Sequence, residues 1–406
     1  MNWEAILLNN PIYIDINIFY VNVLSRKKVM QIGIDSFVEL SLDPANRGTV
    51  DPAQRVRDLL EEIELADQVG LQVFGIGEHH RPEFVASAPA VILAAAAART
   101  KRIRLASAVS VLSSEDPVRL FQQFATLDLI SQGRAEIIVG RGSFIESYPL
   151  FGFDLEDYDS LFAEKLDLLL KIRENIHVHW SGKYRPPLTG QGVYPRPGQN
   201  PLPIRLGVGG TPHSFARAGM LGLPLTVAII GGEPRRFRPL IDLYREAGRQ
   251  AGHSAETDSP AAKGPTSSRP TGLDVSIHSV GFIGDTTKQA ADEFYPPYAQ
   301  IFGRIGKERG WPPITRAQFD ATCRPTGALL VGDPESIAEK ILHENEVLGG
   351  ISRMTILLNG GVIPHKKAMH AIELLGTRVA PMVKNELKFR GEPHHEATEV
   401  FSLADH

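Results

Sequence analysis

Residues 75–84 read GIGEHHRPEF, residues 103–112 read IRLASAVSVL, and residues 135–144 read AEIIVGRGSF. Each segment is an apolar run of strand length that ends in polar or glycine residues. Between the second and third, DPVRLF (116–121) opens a helix. Short apolar runs bounded by turn residues read as strands buried on both faces, which is how parallel strands appear in sequence. The span from Gly75 to Gly142 therefore delivers Glu78-His79-His80 and Arg141 to the same relative place, the carboxyl ends of strands. In an α/β barrel those ends share one face, and chemistry is done there.

The same alternation extends in both directions. Gln31–Phe37 is β-rich and alternating, and reads as the first strand. Asp51-Pro52 opens a helix, with Asp at the N-cap and Pro at the first helical position. Val56, Leu59, Leu60, Ile63 and Ala66 then fall on one face. Leu71–Gly77 is the second strand, followed by an alanine-rich helix over Ser87–Arg99. Ile103–Leu112 is the third strand, Asp116-Pro117 starts the next helix, and Ala135–Gly140 is the fourth strand. Tyr158–Ile176 is a long amphipathic helix. Beyond it the sequence predicts strands at Ile204–Gly209, Leu225–Ile230, Val275–Ile283 and Met354–Leu358. Helices follow from Thr211-Pro212, Pro234–Ala251, Thr286 and Lys366–Lys384. Eight strand–helix alternations imply a parallel sheet, and eight is the number that closes on itself. The expected fold is α/β: an eight-stranded parallel (β/α) barrel of the TIM type with loop insertions, occupying residues 30–386.

Three insertions interrupt the rhythm. Ser181–Pro203, rich in Gly, Pro and Arg, is expected to cover the barrel mouth. Residues 253–272 have linker composition and read as a mobile insertion. Phe302–Gly332 is expected to carry a short helix, ahead of another Asp-Pro start at Asp333-Pro334. Residues 1–29 read as a weakly packed extension, with Met30 directly before the first strand as a candidate natural start, and residues 387–406 as a C-terminal tail.

Composition narrows the function. The chain has 406 residues, 43% of them hydrophobic and 22% charged, which suits a globular enzyme with a large core. The formal net charge of −4, with both signs interspersed, offers no basic surface for nucleic acid or an anionic membrane. One cysteine, Cys323, allows no internal disulfide and no cysteine metal cluster, in keeping with a cytoplasmic setting. The apolar N-terminal segment carries Glu4 and Asp15 and has its basic cluster, Arg26 to Lys28, on the wrong side for a secretory signal. No uninterrupted apolar stretch in it is long enough to span a bilayer.

Three groups of residues are candidates for chemistry. His79 and His80 are adjacent on an extended segment, so only one faces the site centre. A histidine there serves as general acid or base, or simply as a structural hydrogen-bonder. A metal site lacks further ligands and the H-E-x-x-H helix pattern. Arg141, between two glycines, presents a fork suited to phosphate, or else forms a surface ion pair. Gly207 to Ser214 (GVGGTPHS) follows the fifth strand and opens a helix, whose N–H groups suit an anion, or which is a plain tight turn. It is not the G-x-G-x-x-G dinucleotide pattern. Strands four and five neighbour each other, so Arg141 and the Gly209–Ser214 turn form one donor-rich cup, with His79 at its far end. That separation suits a long phosphorylated cofactor. His278 and His365 are placed to approach the mouth, or else are structural or surface residues, which is the first reading of each.

With these residues in hand, the chain resembles the bacterial luciferase-like family of flavin-dependent oxidoreductases. The matching elements are EHHRPEF, SAVSVLSSEDPVRLFQQFATLDLISQGRAEIIVGRG, and GVGGTPHSFARAGMLGLP. QGVYPRP, IIGGEP, ERGWPPITRAQFD and LLVGDPESIAEKI resemble one largely uncharacterised branch of it. The resemblance implies a barrel that binds reduced FMN, usually as a homodimer, and acts as a monooxygenase on a small molecule. It implies that His79 is the catalytic histidine and that Ala108-Val109 is a non-proline cis peptide beneath the flavin ring. Arg141 matches the phosphate-binding arginine, Gly209, Gly210 and Thr211 form a second phosphate loop, and Phe37 walls the ring pocket. Barrels often bind phosphate after strands seven and eight; this family uses earlier loops. With no nicotinamide motif, a separate flavin reductase is expected to supply reduced flavin. A deazaflavin-dependent dehydrogenase on the same barrel and a non-catalytic flavin-binding protein are the alternatives.

Overall fold

The computed structural model describes residues 30–40, 51–142, 144–253, 273–308, 310, 312–358 and 363–389. The N-terminal extension 1–29, nearly all of the 253–272 insertion, residues 359–362 and most of the C-terminal tail lie outside the described residues. Eight parallel strands close a ring: β1 (Gln31–Ser36), β2 (Val73–Ile76), β3 (Arg104–Ser107), β4 (Ala135–Gly140), β5 (Ile204–Val208), β6 (Leu225–Ile229), β7 (Val275–Ile283) and β8 (Arg353–Leu357). Each pairs with its sequence neighbour, and β8 returns to β1 with Gln31 opposite Arg353 and Asp35 opposite Leu357. The barrel expected from the sequence is the one observed.

Helices wrap the ring: α1 (Pro52–Gln68), α2 (Pro89–Arg99), α3 (Pro117–Ser131), α4 (Tyr158–Glu174), α5 (Pro212–Met220), α6 (Arg238–Gln250), α7 (Thr287–Glu308), α8 (Pro334–Val347) and α9 (His365–Leu374). The Asp-Pro starts work as the sequence suggests. Asp51 accepts from the Gln54 N–H, Asp116 from Val118 and Arg119, and Asp333 from Ser336. The main apolar core lies between sheet and helices, with Leu59 and Ile63 of α1, Phe121 and Phe124 of α3 and Leu168 and Leu169 of α4 fully buried. A second, small cluster of Val73, Ala106 and Ile138 fills the inside of the ring.

The barrel interior is layered. At the amino ends of the strands, Glu136 is wholly buried among Arg104, Arg205 and Arg353, with Arg205 also bonded to Asp274 at 2.5 Å. The apolar cluster comes next. Above it, at the carboxyl ends, the ring opens into a cavity.

The Ala108–Val109 peptide is cis, as the resemblance implied. Three details differ from expectation. The third strand is not continuous to Leu112: it stops at Ser107, and Ser110–Val111 pairs with β4. The reason lies in the partners, since Ala108 N–H bonds back to Ile76 of β2 while Ser110 and Val111 turn to the other side. Ser181–Pro203 does not cover the mouth. With His177–Trp180 it forms an antiparallel hairpin on the outside of α4, where Trp180 Nε1 donates to Asp167 at 2.8 Å and the Lys183 and Tyr184 N–H groups donate to Glu164. None of its residues lines the cavity. Geometry requires this: α4 ends at the amino end of the barrel, β5 begins there, and the insertion leaves from and returns to that end. Finally, Phe302–Gly332 carries the expected short helix, Arg316–Cys323, but also the end of α7 and a short strand, Leu330–Gly332, that pairs with the end of β7 outside the ring.

Candidate active site

A cavity of about 380 Å³ opens at the carboxyl ends of the strands, within the usual range for small-molecule sites. Phe37, His79, Ala108, Val109, Arg141, Gly209 and Thr211 all line it. Gly210 is the one sequence-selected site residue absent from the wall.

Close packing of small residues builds the inner end. A Cβ at Gly77 would meet the Phe37 ring at 2.5 Å, and one at Gly207 would meet Val109 at 2.7 Å. Glycine at these strand positions is what lets Phe37 and Val109 stand over the ring. Just past Phe37, Val38 holds φ at 57°, a left-handed conformation that a β-branched residue adopts only when its surroundings impose it. Its N–H bonds to Ser36 Oγ at 3.1 Å and its carbonyl accepts from Val85 at 3.0 Å.

His79 lies just past β2, with its N–H on Ala86 O. Its ring sits among aromatic rings: stacked on Phe84 at 4.3 Å, edge-on to Phe37 at 4.6 Å and to Phe144 at 5.2 Å. Burial, helped by the neighbouring His80 and Arg81, drives its pKa down to about 3. The imidazole is therefore uncharged at neutral pH, able to accept with one nitrogen and donate with the other. Neither nitrogen has a hydrogen-bond partner among the described residues. His80 points away, as its neighbour position requires, and bonds Glu78 at 2.9 Å. Glu78 in turn accepts from the Val111 N–H at 2.9 Å, tying the segment after β2 to the segment after β3.

Arg141 leaves β4 between two glycines. Its Nη1 donates to Asp159 at 2.5 Å and its Nη2 to Ser214 Oγ at 3.3 Å, with the guanidinium over the Tyr158 ring at 5.0 Å. The guanidinium thus reaches the first turn of α5 from the neighbouring strand. Thr211 is the N-cap of α5, yet its side chain makes no capping bond. A Cβ at Gly209 or Gly210 would meet nothing within 4 Å, so this turn faces open space. A phosphate fits such a place: one cation, two hydroxyls and the start of a helix. The carboxylate of Asp159, three-quarters exposed, competes for the same cation.

Sequence reading passed over a second constellation in the wall. Asp35, at the end of β1, accepts from His278 Nδ1 of β7 at 2.6 Å and from the Thr355 hydroxyl of β8. His278, read first as structural or surface with an approach to the mouth as the alternative, lines the cavity, and so do Asp35 and Thr226. The signal available in sequence was only that a polar residue interrupts each of three apolar strands. His365 stays at the rim, paired with Glu61 and Glu62. Among the described residues, no helix is long and apolar enough to cross a membrane.

Fold and cavity define the class: a closed parallel α/β barrel with its ligand site at the carboxyl face. A family model described as luciferase-like monooxygenase matches residues 37–350, and the chain belongs to that family. Its members are flavin- or F420-dependent oxidoreductases. The chain is 33% identical over 134 residues to an uncharacterized protein of Sinorhizobium fredii, a match covering 32% of this chain and 38% of that one. It is 26% identical to 4-hydroxyprotoasukamycin monooxygenase of Streptomyces nodosus subsp. asukaensis, over 85% of this chain and 92% of the relative. Two solved structures share the fold. The oxygenating constituent of 3,6-diketocamphane monooxygenase from Pseudomonas putida, in complex with FMN, has a TM-score of 0.68 at 20% identity, covering 87% of this chain and 98% of that one. An F420-dependent secondary alcohol dehydrogenase has 0.67 at 17%, covering 87% and 99%.

Proposed function

We propose that this chain is a monooxygenase that uses reduced FMN and dioxygen on a small organic substrate. The observation that carries the reading is the meeting, in one cavity, of an uncharged imidazole boxed by aromatic rings with a guanidinium that joins the open start of a helix. On this reading Arg141, Ser214 Oγ and the turn Gly209 to Thr211 hold the phosphate. Phe37, Ala108 and Val109 support the ring system and keep water from it. His79 holds or gives a proton at its ring nitrogens, which nothing else in the described protein engages. When bound, reduced FMN supplies the electrons that activate dioxygen.

Partners follow from the same reading. A separate reductase supplies the reduced flavin, because no nicotinamide motif is present, and the setting is cytoplasmic. A homodimer forms through α2 and α3, where Val91, Leu129 and Ile130 are exposed apolar residues and Val91 and Ile130 border one surface groove.

The purified chain, titrated anaerobically with reduced FMN and then mixed with dioxygen, is expected to retain the flavin and consume oxygen. Failure to bind reduced FMN removes the proposal. His79→Gln should keep flavin binding while turnover falls about 10²- to 10⁴-fold, the usual contribution of a proton-transfer group; a protein that only carries flavin would show no such loss. The F420-dependent alcohol dehydrogenase of similar fold supports a second reading, hydride transfer to or from a deazaflavin. Under it the chain binds F420 in preference to FMN and turns over without consuming oxygen.

A further inference from the structure

We propose that His278, oriented by Asp35, is a second proton-transfer residue of this cavity, and that it selects a small, largely apolar substrate carrying a hydroxyl group. The inference rests on the oxidoreductase reading only for the redox step that follows proton removal; the geometry stands by itself. His278 Nδ1 lies 2.6 Å from Asp35 Oδ2, an acceptor-only carboxylate, so the ring proton is on Nδ1. Nε2 makes no hydrogen bond to the described protein, is not among the fully enclosed unpartnered atoms, and belongs to a ring that lines the cavity. It presents a lone pair. Base and orienter come from β7 and β1, with β8 between them in the ring, and a carboxylate on the far nitrogen is how hydrolytic triads fix one imidazole tautomer.

The carboxylate is itself held. The Thr355 hydroxyl donates to the same oxygen, and the other oxygen is enclosed without a partner. It leans on Gly75, where any Cβ would collide with it. Phe37 stacks over His278 at 5.9 Å and is edge-on to His79, so the two imidazoles flank one aromatic ring. Among the described residues, Asp35 touches His278 from β1, and Glu78, His79, Arg141 and Tyr158 are the other charged or titratable groups that line the same cavity.

Substrate class follows from the walls. Phe37, Val109, Ile138, Val208, Ala228 and Ile230 are apolar. Among the described residues the one guanidinium in the lining is Arg141, already paired with Asp159, while Asp35 and Glu78 are carboxylates. An anionic substrate would meet repulsion there. A neutral molecule with an O–H would give its hydrogen bond to Nε2. In the transfer, the substrate O–H bond breaks, its electron pair stays on oxygen, an N–H bond forms at Nε2, and the Asp35 carboxylate offsets the imidazolium charge. The proton leaves later to water.

The test uses the full chain without flavin, so that its outcome is separate from that of the FMN titration. 4-Nitrophenol, at a pH well below its own ionisation, is titrated into wild type, Asp35→Asn and His278→Gln. Wild type is expected to bind it with a phenolate-like absorbance. Both variants should bind about ten-fold or more weakly, as when a buried hydrogen-bonding group loses its partner, and without that absorbance. Nitrogen-15 NMR of the histidines should show the proton on Nδ1 of His278 in wild type and on Nε2 in Asp35→Asn, since the amide can donate to Nδ1. A wild type that does not bind the phenol, or that binds it with the neutral spectrum, overturns the proposal. So does an unchanged tautomer or spectrum in the variants. If Asp35→Asn fails to fold, His278→Gln decides alone.

Discussion

Arg141 enters the cavity already neutralised. Its partner Asp159 is an exposed carboxylate on the first turn of α4, and exposed pairs of this kind contribute only about 0.2–1 kcal/mol. A phosphate offering two or three charged oxygens displaces or outbids it. On the proposed reading, Arg141→Ala weakens FMN binding by about 10- to 100-fold, the size of hydrogen bonds to a charged group. Asp159→Asn tightens it by about two- to five-fold, because the competing charge is gone. Fluorescence titration with FMN measures both, and a tightening on removal of Asp159 is the more telling result. Were the guanidinium merely a surface group, both changes would leave FMN affinity where it is.

At the scale of elements, α8 carries the most unusual burial. Glu344 is almost fully buried, and both its carboxylate oxygens are enclosed without a partner. Burial pushes its pKa from 4.5 up to about 8, against the opposing pull of Lys340 one turn earlier. The Lys340 ammonium is occupied elsewhere, donating to the Cys323, Arg324 and Leu329 carbonyls that close the segment before Leu330–Gly332. The folded state therefore keeps a proton that the unfolded chain releases above pH 4.5. Stability from this site is full below about pH 4.5 and is lost as pH rises through about 8. Glu344→Gln should flatten that slope: thermal melting of the variant falls less between pH 5 and pH 8 than that of wild type. Parallel melting curves across that range would show that the carboxyl titrates normally. The last helix shows a different accommodation. Between α9 and Ala380–Phe389 it widens into a π-turn over Leu375–Val379, where Gly376 lies so close to Val69 that no side chain fits.

Over the whole molecule, the barrel has one sealed end and one working end. Glu136 is surrounded by three guanidiniums at the amino ends of the strands. Burial alone would raise its pKa, but Arg353 and Arg205 outweigh burial and hold it at about 2. Replacing one partner of such a network leaves buried charge unbalanced and costs about 3–5 kcal/mol. Glu136→Gln should lower the urea unfolding midpoint strongly while FMN affinity in the folded protein stays unchanged, because the apolar layer of Val73, Ala106 and Ile138 separates it from the cavity. A change in FMN affinity of more than about two-fold, well beyond what independent distant sites show, would mean that the two ends are coupled.

Much of this was written in local sequence. Apolar runs of strand length, Asp-Pro helix starts and glycine stops are interactions between near neighbours, and they located all eight barrel strands, the third overextended past Ser107, and the Arg141 and Gly209–Thr211 turns. The GIGEHH segment announced a strand end with a histidine because alternation along a strand is itself local. What the sequence left open depends on closure of the ring. Asp35 meets His278 across 243 positions and Thr355 across 320, and only the register of β1 against β8, and of β8 against β7, turns those three side chains toward one another. The path of Ser181–Pro203 outside α4 was likewise decided by where α4 ends in space. Periodicity reports which face of an element is apolar. Which polar groups share the interior of a barrel is settled by long-range pairing, and that exists only once the last strand returns to the first.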